Sequence, residues 1–205
     1  NVKNEGDERL ESIETTLTKA EQFVIDNQKA IYVILAILIV AVFAFFGVKK
    51  FYLEPREENA QKAIYHAEQY FENDNFTSAL NGDGNYLGFV DVINEFGGTK
   101  TANLAKYYAG ICYLNTGDFN NAINYLKDFN GKDVMLTSLA LGAMGDAYME
   151  LDNVAEAAKC YESAAMKSAN GFTSPMYLLR AGMAYEMAGN YQKAVDSYKK
   201  IKAEY

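Results

Sequence analysis

The chain has 205 residues, half of them apolar, and its formal net charge at pH 7 is −8. Binding to nucleic-acid phosphates needs a basic stripe, and none is visible in this sequence, so we expect no nucleic-acid partner. The part of the chain that follows the most apolar segment has enough residues for one domain with its own core.

Residues 1–29 form an acidic segment with a helical pattern. Apolar side chains recur at spacings of three and four residues, which predicts an amphipathic helix, and Asp7 can cap its N-terminus. The stripe consists of Leu10, Ile13, Leu17, Ala20 and Val24. This pattern fits either a small docking helix or a plain amphipathic flank of the segment that follows.

Residues 30–53 contain the most apolar stretch of the chain. No charge occurs over the nineteen residues from Ala30 to Val48, a length that nearly spans a hydrocarbon core of about 30 Å. A signal peptide would have a shorter apolar region nearer the start, and a buried core helix is rarely apolar on every side. We therefore predict one transmembrane helix in a lipid bilayer. Its small residues allow close contact with a partner helix and are Ala41, Ala44 and Gly47.

In residues 54–100 the pattern predicts an interrupted partial repeat. Four residues lie at the same offsets as the characteristic residues of the repeats that follow: Ala67, Tyr70, Phe76 and Ala79. The segment from Asn81 to Asn85 interrupts the second helix, because asparagine and glycine tolerate the positive φ of turns. It lacks the alternating oxygens and terminal glutamate of a calcium loop, which favours a plain turn. Helical periodicity is expected to resume at Tyr86 and to end at Phe96.

Residues 101–205 carry three copies of one spacing: a glycine, a tyrosine three residues later and an alanine twelve residues later. The copies are Gly110/Tyr113/Ala122, Gly145/Tyr148/Ala157 and Gly182/Tyr185/Ala194. We expect each glycine to let two antiparallel helices approach closely and each tyrosine to fill the space between them. Recurrence at about 34 residues is typical of tetratricopeptide repeats. The predicted fold is therefore all-α: a tetratricopeptide-repeat α-solenoid of three repeats, preceded by a single transmembrane helix.

The remaining reactive residues give no sign of catalysis, a cofactor or a metal site. Nucleophile elbows, zinc-protease motifs and phosphate-binding glycine loops are missing from the sequence, so we expect no enzyme. His66 has no nearby histidine or cysteine to share a metal and is expected on a helix surface. Cys112 and Cys160 lie on different repeat units. Small buried thiols are favoured, and a disulfide would depend on the distance between them.

The repeats predict protein binding through a concave face that is lined by the first helix of each unit. The inward positions follow a 3–4–3 spacing and are Leu104, Tyr107, Ile111, Leu114, Leu139, Gly142, Asp146, Met149, Glu150, Met176, Leu179, Met183, Glu186 and Met187. Adaptable methionines suit varied apolar segments of client proteins, and the carboxylates would favour a basic residue in the ligand. Packing between neighbouring repeats is the alternative for each side chain. Gly142 is expected to be exposed and to tolerate alanine.

The order of these segments resembles the YfgM-type ancillary subunits of the bacterial Sec translocon. The similar stretches are Ala20–Lys29 before the apolar helix and Gly97–Ala105 before the first full repeat. The resemblance implies a single-pass protein of the bacterial inner membrane with a cytoplasmic N-terminus and periplasmic repeats. It also implies a SecYEG-type translocon and a membrane-anchored prolyl-isomerase-like chaperone as partners, and a role in assisting exported client proteins.

The charges that flank the apolar helix favour a different orientation. Lys19 and Lys29 precede it, whereas four basic residues follow it: Lys49, Lys50, Arg56 and Lys62. By the positive-inside rule this asymmetry mildly favours cytoplasmic repeats, although long domains translocate with weak regard to flanking charge. Two alternatives therefore stay open. One is an assembly scaffold of another envelope complex, in outer-membrane protein biogenesis or secretion, and the other is a membrane-bound cytoplasmic adaptor.

Overall fold

The computed structural model describes residues 21–205, and the regular structure within this range is entirely helical. The predicted stripe from Leu10 to Ala20 lies outside the described residues. Two compact units divide between Glu54 and Pro55. The helices are α1 (Gln28–Val48), α2 (Glu54–Glu72), α3 (Phe76–Asn81), α4 (Phe89–Glu95), α5 (Lys100–Asn115), α6 (Phe119–Asp128), α7 (Val134–Glu150), α8 (Val154–Ser168), α9 (Thr173–Met187) and α10 (Tyr191–Glu204), with a π-helical segment Lys49–Leu53 after α1.

Helix α1 is apolar on every side and has no buried residue. Large side chains such as Ile34, Phe43 and Phe46 are more than half exposed. The helical stretch Gln28–Glu72, whose apolar part is α1, is the one stretch within residues 21–205 that is long and apolar enough to cross a membrane. Since exposed apolar surface is unfavourable in water, this helix fits a single-pass membrane protein.

The same turn closes the first helix of the partial unit and of all three full units. One residue in each turn has a left-handed backbone, and these residues are Asp74 (φ 56°), Gly117 (φ 83°), Asp152 (φ 56°) and Gly189 (φ 74°). The next amide bonds the carbonyl five residues earlier at 2.8–2.9 Å in each case: Asn75 to Tyr70, Asp118 to Tyr113, Asn153 to Tyr148 and Asn190 to Tyr185. This bond is characteristic of a Schellman helix end. Aspartate therefore replaces glycine at two turns because it tolerates the left-handed region.

The glycines that recur at the same place in each full unit lie at close helix crossings, as predicted. A Cβ atom on Gly145 would overlap the ring of Tyr161, and one on Gly182 would overlap the ring of Tyr198. Leu126 fills the equivalent place against Gly110. The side chain against each glycine therefore lies sixteen residues later, on the second helix of the unit. The tyrosines at the three-residue spacing pack elsewhere in the helix pair, where Tyr185 is buried in the core.

In the segment before the first full repeat, two short helices, α3 and α4, follow α2 and are separated by residues 82–88. Helix α4 begins at Phe89 rather than at Tyr86, because Asp83 holds the preceding residues in a turn. Its Oδ1 accepts the amides of Asn85 and Tyr86, both at 2.9 Å, and its Oδ2 accepts from Tyr70 Oη at 2.8 Å. Tyr86 then stacks on His66 with ring centroids 3.4 Å apart. The loop is therefore closed by its own hydrogen bonds.

Two adjacent side chains of α2 connect to the junction between α4 and α5. The Arg56 guanidinium donates to the carbonyl oxygen of Glu95 at 2.7 Å, at the C-terminal end of α4. The Glu57 carboxylate accepts the amides of Lys100 (2.7 Å) and Thr101 (3.1 Å), at the N-terminal end of α5. A cation at a helix C-terminus and an anion at a helix N-terminus both complement the helix dipole. This pair fixes α2 against the rest of the unit Pro55–Tyr205.

Candidate functional site

The first repeat unit contributes mostly packing residues among the positions predicted to face a concave surface. Tyr107, Ile111 and Leu114 pack against a buried cluster that consists of Leu126, Ala140 and Ala143. Helix α7 of the second unit supplies the two alanines, so these side chains fill the seam between repeats. Leu104 alone lines an open cavity, of about 410 Å³, at the start of α5. For the three packing residues, the structure therefore favours the alternative of inter-repeat packing.

The second and third units bring five predicted residues together around one open cavity. Its volume is about 330 Å³, and it lies between α7 and α9. The predicted residues that line it are Asp146, Met149, Glu150, Met183 and Met187. We call this cavity the methionine groove. Four further predicted positions lie outside its lining: Leu139 is half-buried, and Met176, Leu179 and Glu186 are exposed.

The sequence predicted that the carboxylates of the methionine groove would be available to a basic residue of a ligand. Asp146 differs from this prediction because it already has partners within the protein. Arg180 Nη1 lies 2.7 Å from Asp146 Oδ1, and Tyr161 Oη donates to the same oxygen at 2.6 Å. The guanidinium carbon also lies 5.8 Å from the centroid of the Tyr161 ring. Burial and then the hydrogen bond to Asp146 raise the pKa of Tyr161. A basic ligand residue would have to compete with Arg180, so Glu150 at the rim is the more accessible carboxylate.

Sequence reasoning missed Arg180 and Tyr161, although both line the methionine groove. Arg180 follows Asp146 by 34 residues, which is one repeat length. The opposite charges of Asp146 and Arg180, one repeat apart on successive first helices, are the signal in the sequence from which this pair could have been predicted.

The expectation for Gly142 is wrong. Gly142 is buried, and a Cβ atom at this position would overlap Tyr177 of α9. The Tyr177 ring is itself buried in the core between α8 and α9. Gly142 therefore makes room for the next repeat and does not lie on an open surface. The sequence prediction placed Gly142 on the open concave face because it did not account for the Tyr177 ring, which packs against this glycine.

The two cysteines are free thiols in the structure. Cys112 is buried and Cys160 is half-buried. Burial raises the pKa of the Cys112 thiol to about 12 and that of the Cys160 thiol to about 11. Because the thiolate is the reactive form, both side chains behave as small apolar core residues near neutral pH.

The small residues of α1 lie on the surface of this helix. Ala41 and Ala44 are exposed, and a Cβ atom on Gly47 would meet no atom within 4 Å. A larger side chain there is therefore compatible with the helix itself. Any effect of such a change must come from the surroundings of α1.

Comparison with known proteins supports the repeat assignment. Residues 104–132 and 177–205 match the family described as Tetratricopeptide repeat. The fold is thus a tetratricopeptide-repeat α-solenoid with one long apolar N-terminal helix. The intervening unit lies outside the matched segments but shares the turn geometry and glycine crossings of its neighbours. No curated protein matches the chain. Repeats of this kind form protein-binding scaffolds and are typically not enzymes.

Proposed function

We propose that this protein is a membrane-anchored scaffold that binds apolar segments of other proteins in the methionine groove. The observation that carries the proposal is the exposure of Met183 and Met187 beside Met149 in one open cavity. Large apolar side chains that remain exposed together mark a binding surface. The thioether side chain adapts its shape to different ligands, which suits a site with varied clients.

The resemblance to YfgM-type subunits supports a more specific role. In this proposal α1 anchors the protein in the bacterial inner membrane, and the repeats lie in the periplasm beside a SecYEG-type translocon. Exported proteins would meet the methionine groove as they leave the translocon, together with a membrane-anchored prolyl-isomerase-like chaperone. An assembly scaffold of another envelope complex would use the same groove and differ in its partners.

Site-specific photocrosslinking in cells tests the groove. A photoreactive residue at Met183 should crosslink to translocon subunits and exported proteins. The matched control is Met135, which is also exposed on a first helix but lies outside the groove lining. Equal crosslinking from both positions would remove the support for a groove. Crosslinks from Met183 to subunits of a different envelope complex would favour the assembly scaffold.

The flanking charges support a second candidate function, a cytoplasmic adaptor. Four basic residues follow the apolar run within about 15 residues, which favours that side as cytoplasmic. Protease accessibility of the repeats in intact and permeabilised cells distinguishes the two. Digestion that occurs once the outer membrane is opened supports periplasmic repeats, whereas protection until the inner membrane is broken supports the adaptor.

A further inference from the structure

The second helix of the first repeat unit is shorter than that of the second unit. Helices α6 and α8 both begin nine residues after the repeat glycine of their unit, Gly110 and Gly145 respectively. Helix α6 ends at Asp128 after ten residues, whereas α8 continues to Ser168 and has fifteen. The first unit therefore lacks more than one turn of helix that the second unit has.

In the second unit this last turn lies between the starts of two first helices. Ser138 of α7 donates to the carbonyl oxygen of Ala164 at 2.7 Å, and Ser174 of α9 donates to that of Ala165 at 2.9 Å. All four of these residues are buried. The equivalent space of the first unit lies between the starts of α5 and α7, where the chain after Asp128 is not helical.

The open cavity of about 410 Å³ occupies that space in the first unit. Residues at the start of α5, the loop 129–133 and Leu136 of α7 line it, and we call it the loop cavity. Leu104, Phe129 and Leu136 are half-buried and form its apolar part. Its volume lies in the range of about 300–1,000 Å³ that is typical of ligand pockets, which are mostly apolar with a few polar groups.

Hydrogen bonds fix the loop that forms one wall of the loop cavity. The Asn103 side chain donates to the carbonyl oxygen of Asn130 and accepts its amide, both at 3.0 Å. The Thr137 hydroxyl donates to the carbonyl oxygen of Asp133 at 2.7 Å. A Cβ atom on Gly131 would overlap Thr137, so the loop packs tightly on α7. The cavity is therefore formed without a ligand, which reduces the entropy that binding would cost.

The charges at the loop cavity favour an anionic ligand. Lys100 and Lys132 line it and are exposed, and neither forms an ion pair with another residue of the range 21–205. The lining carboxylate, Asp133, accepts the amide of Leu136 at 2.8 Å, and Glu57 accepts the backbone amide of Lys100 at 2.7 Å. Both carboxylates thus cap helices. The two ammonium groups form a local excess of positive charge in a chain whose net charge is −8.

We propose that the loop cavity binds a short segment of a partner protein in which large apolar side chains lie next to aspartate or glutamate. The apolar side chains contact Leu104, Phe129 and Leu136, in the space that the last turn of α8 fills in the second unit. The carboxylate pairs with Lys100 and Lys132, which gives the site its preference for an acidic segment. A protein segment is the occupant because repeats of this kind bind proteins.

This site is separate from the methionine groove and has the opposite preference in charge. The two cavities share no lining residue. At the methionine groove the accessible carboxylate is Glu150, which favours a basic ligand residue, whereas the lysines of the loop cavity favour an acidic one. The inference therefore does not rest on the proposed function of the groove.

Fluorescence anisotropy with the full chain in lipid nanodiscs tests the inference. The probe is a labelled peptide with the sequence Gly-Ser-Leu-Phe-Glu-Glu-Ser-Gly, which carries two apolar side chains next to two carboxylates. It should bind saturably, and at least about fivefold more tightly than peptides in which Gln-Gln replaces Glu-Glu or Ser-Ser replaces Leu-Phe. Its affinity should also fall with added salt, because the ion pairs form at the open rim of the cavity.

Charge reversal of the two lysines tests the ion pairs. Lys100→Glu/Lys132→Glu should weaken binding of the acidic peptide by about tenfold or more, because attraction becomes repulsion. The matched control is Lys199→Glu/Lys202→Glu, which changes the net charge equally at exposed positions of α10 outside the lining. This control should alter the affinity less than about twofold.

Filling the cavity tests the apolar contact. Leu136→Trp should weaken binding by at least about fivefold, because the indole ring occupies the space that the peptide needs. Met135→Trp is the matched control, since Met135 is exposed and adjacent in sequence but does not line the cavity. Circular dichroism of each variant checks that its helices persist, and the lysine variants change exposed side chains that carry no part of the core.

Three results would overturn the inference. One is the absence of saturable binding of the acidic peptide to the unchanged protein. Another is equal weakening by each variant and its matched control. The third is displacement of the peptide by decanoate at concentrations below those at which the unlabelled peptide competes, which would assign the cavity to a free fatty acid. Client crosslinks from Met183 that persist alongside any of these results would leave the proposed function standing, because Met183 does not line the loop cavity.

Discussion

Arg180 Nη1 of α9 lies 2.7 Å from Asp146 Oδ1 of α7, so one ion pair joins the second repeat unit to the third. The side chains of the pair are 44% and 39% exposed, which limits its contribution to the free energy of unfolding to about 1 kcal/mol or less. Asp146 also accepts the hydrogen bond of the hydroxyl of Tyr161, whose side chain is buried. The carboxylate is therefore more important for stability than the guanidinium.

This difference gives a first prediction. Asp146→Ala should lower the free energy of unfolding by about 1–2 kcal/mol, because it leaves the Tyr161 hydroxyl unpaired. Arg180→Ala should cost less than about 1 kcal/mol. Urea unfolding of the unit Pro55–Tyr205 measures both, with Glu156→Ala as a control that removes an exposed pair with Lys159. A larger loss for Arg180→Ala would show that the ion pair, and not the tyrosine hydrogen bond, dominates.

A second prediction concerns Gly142. Alanine at this position should lower the free energy of unfolding by about 1–3 kcal/mol, because its Cβ atom overlaps the packed Tyr177 ring. Gly171→Ala is the matched control: a Cβ atom there meets no atom within 4 Å, and the change should be neutral or stabilise by up to about 1 kcal/mol. Thermal melts monitored by circular dichroism compare the two. Equal melting temperatures would mean that α9 shifts freely to admit the methyl group.

The spacing of glycines and turn residues along the sequence predicted the helices and the points where they cross. This was possible because each of these residues makes its contacts within a single repeat. The turn at Asp152 matched its glycine counterparts since aspartate also adopts positive φ. Contacts between repeats were harder to predict. Whether Ile111 packs in a seam or Met183 stays exposed depends on a helix one repeat away, and both occupy the same position of the pattern. The Asp146–Arg180 pair and the Tyr177 ring over Gly142 were missed for that reason.

A third prediction tests the surface of α1. On the proposed translocon role, Ala44→Leu/Gly47→Leu should reduce copurification with translocon subunits, because larger side chains prevent close approach of a partner helix. Membrane insertion should persist, since added atoms at Gly47 meet nothing in the chain itself. Val42→Leu is the control, because at about 100° per residue it lies on the opposite side of the helix. Unchanged copurification of the double variant would assign partner binding to the repeats.

The last prediction uses the acidity of Asp83. Hydrogen bonds from Tyr70 and from the amides of Tyr86 and Asn85 lower its pKa from the ordinary 3.8 to about 2. A carboxylate with a lowered pKa stabilises the fold above its ordinary pKa, and this stabilisation is lost as the pH falls through the folded value. The unchanged protein should therefore unfold at higher urea than Asp83→Ala at pH 7 and pH 4, with the difference shrinking between about pH 4 and pH 2.

Asp74→Ala provides the comparison for an acidic residue at a turn with a left-handed backbone. It should destabilise through backbone strain at every pH, since alanine disfavours that conformation. A difference between the unchanged protein and Asp83→Ala that stays constant from pH 4 to pH 2 would mean that the loop does not depend on the ionised carboxylate.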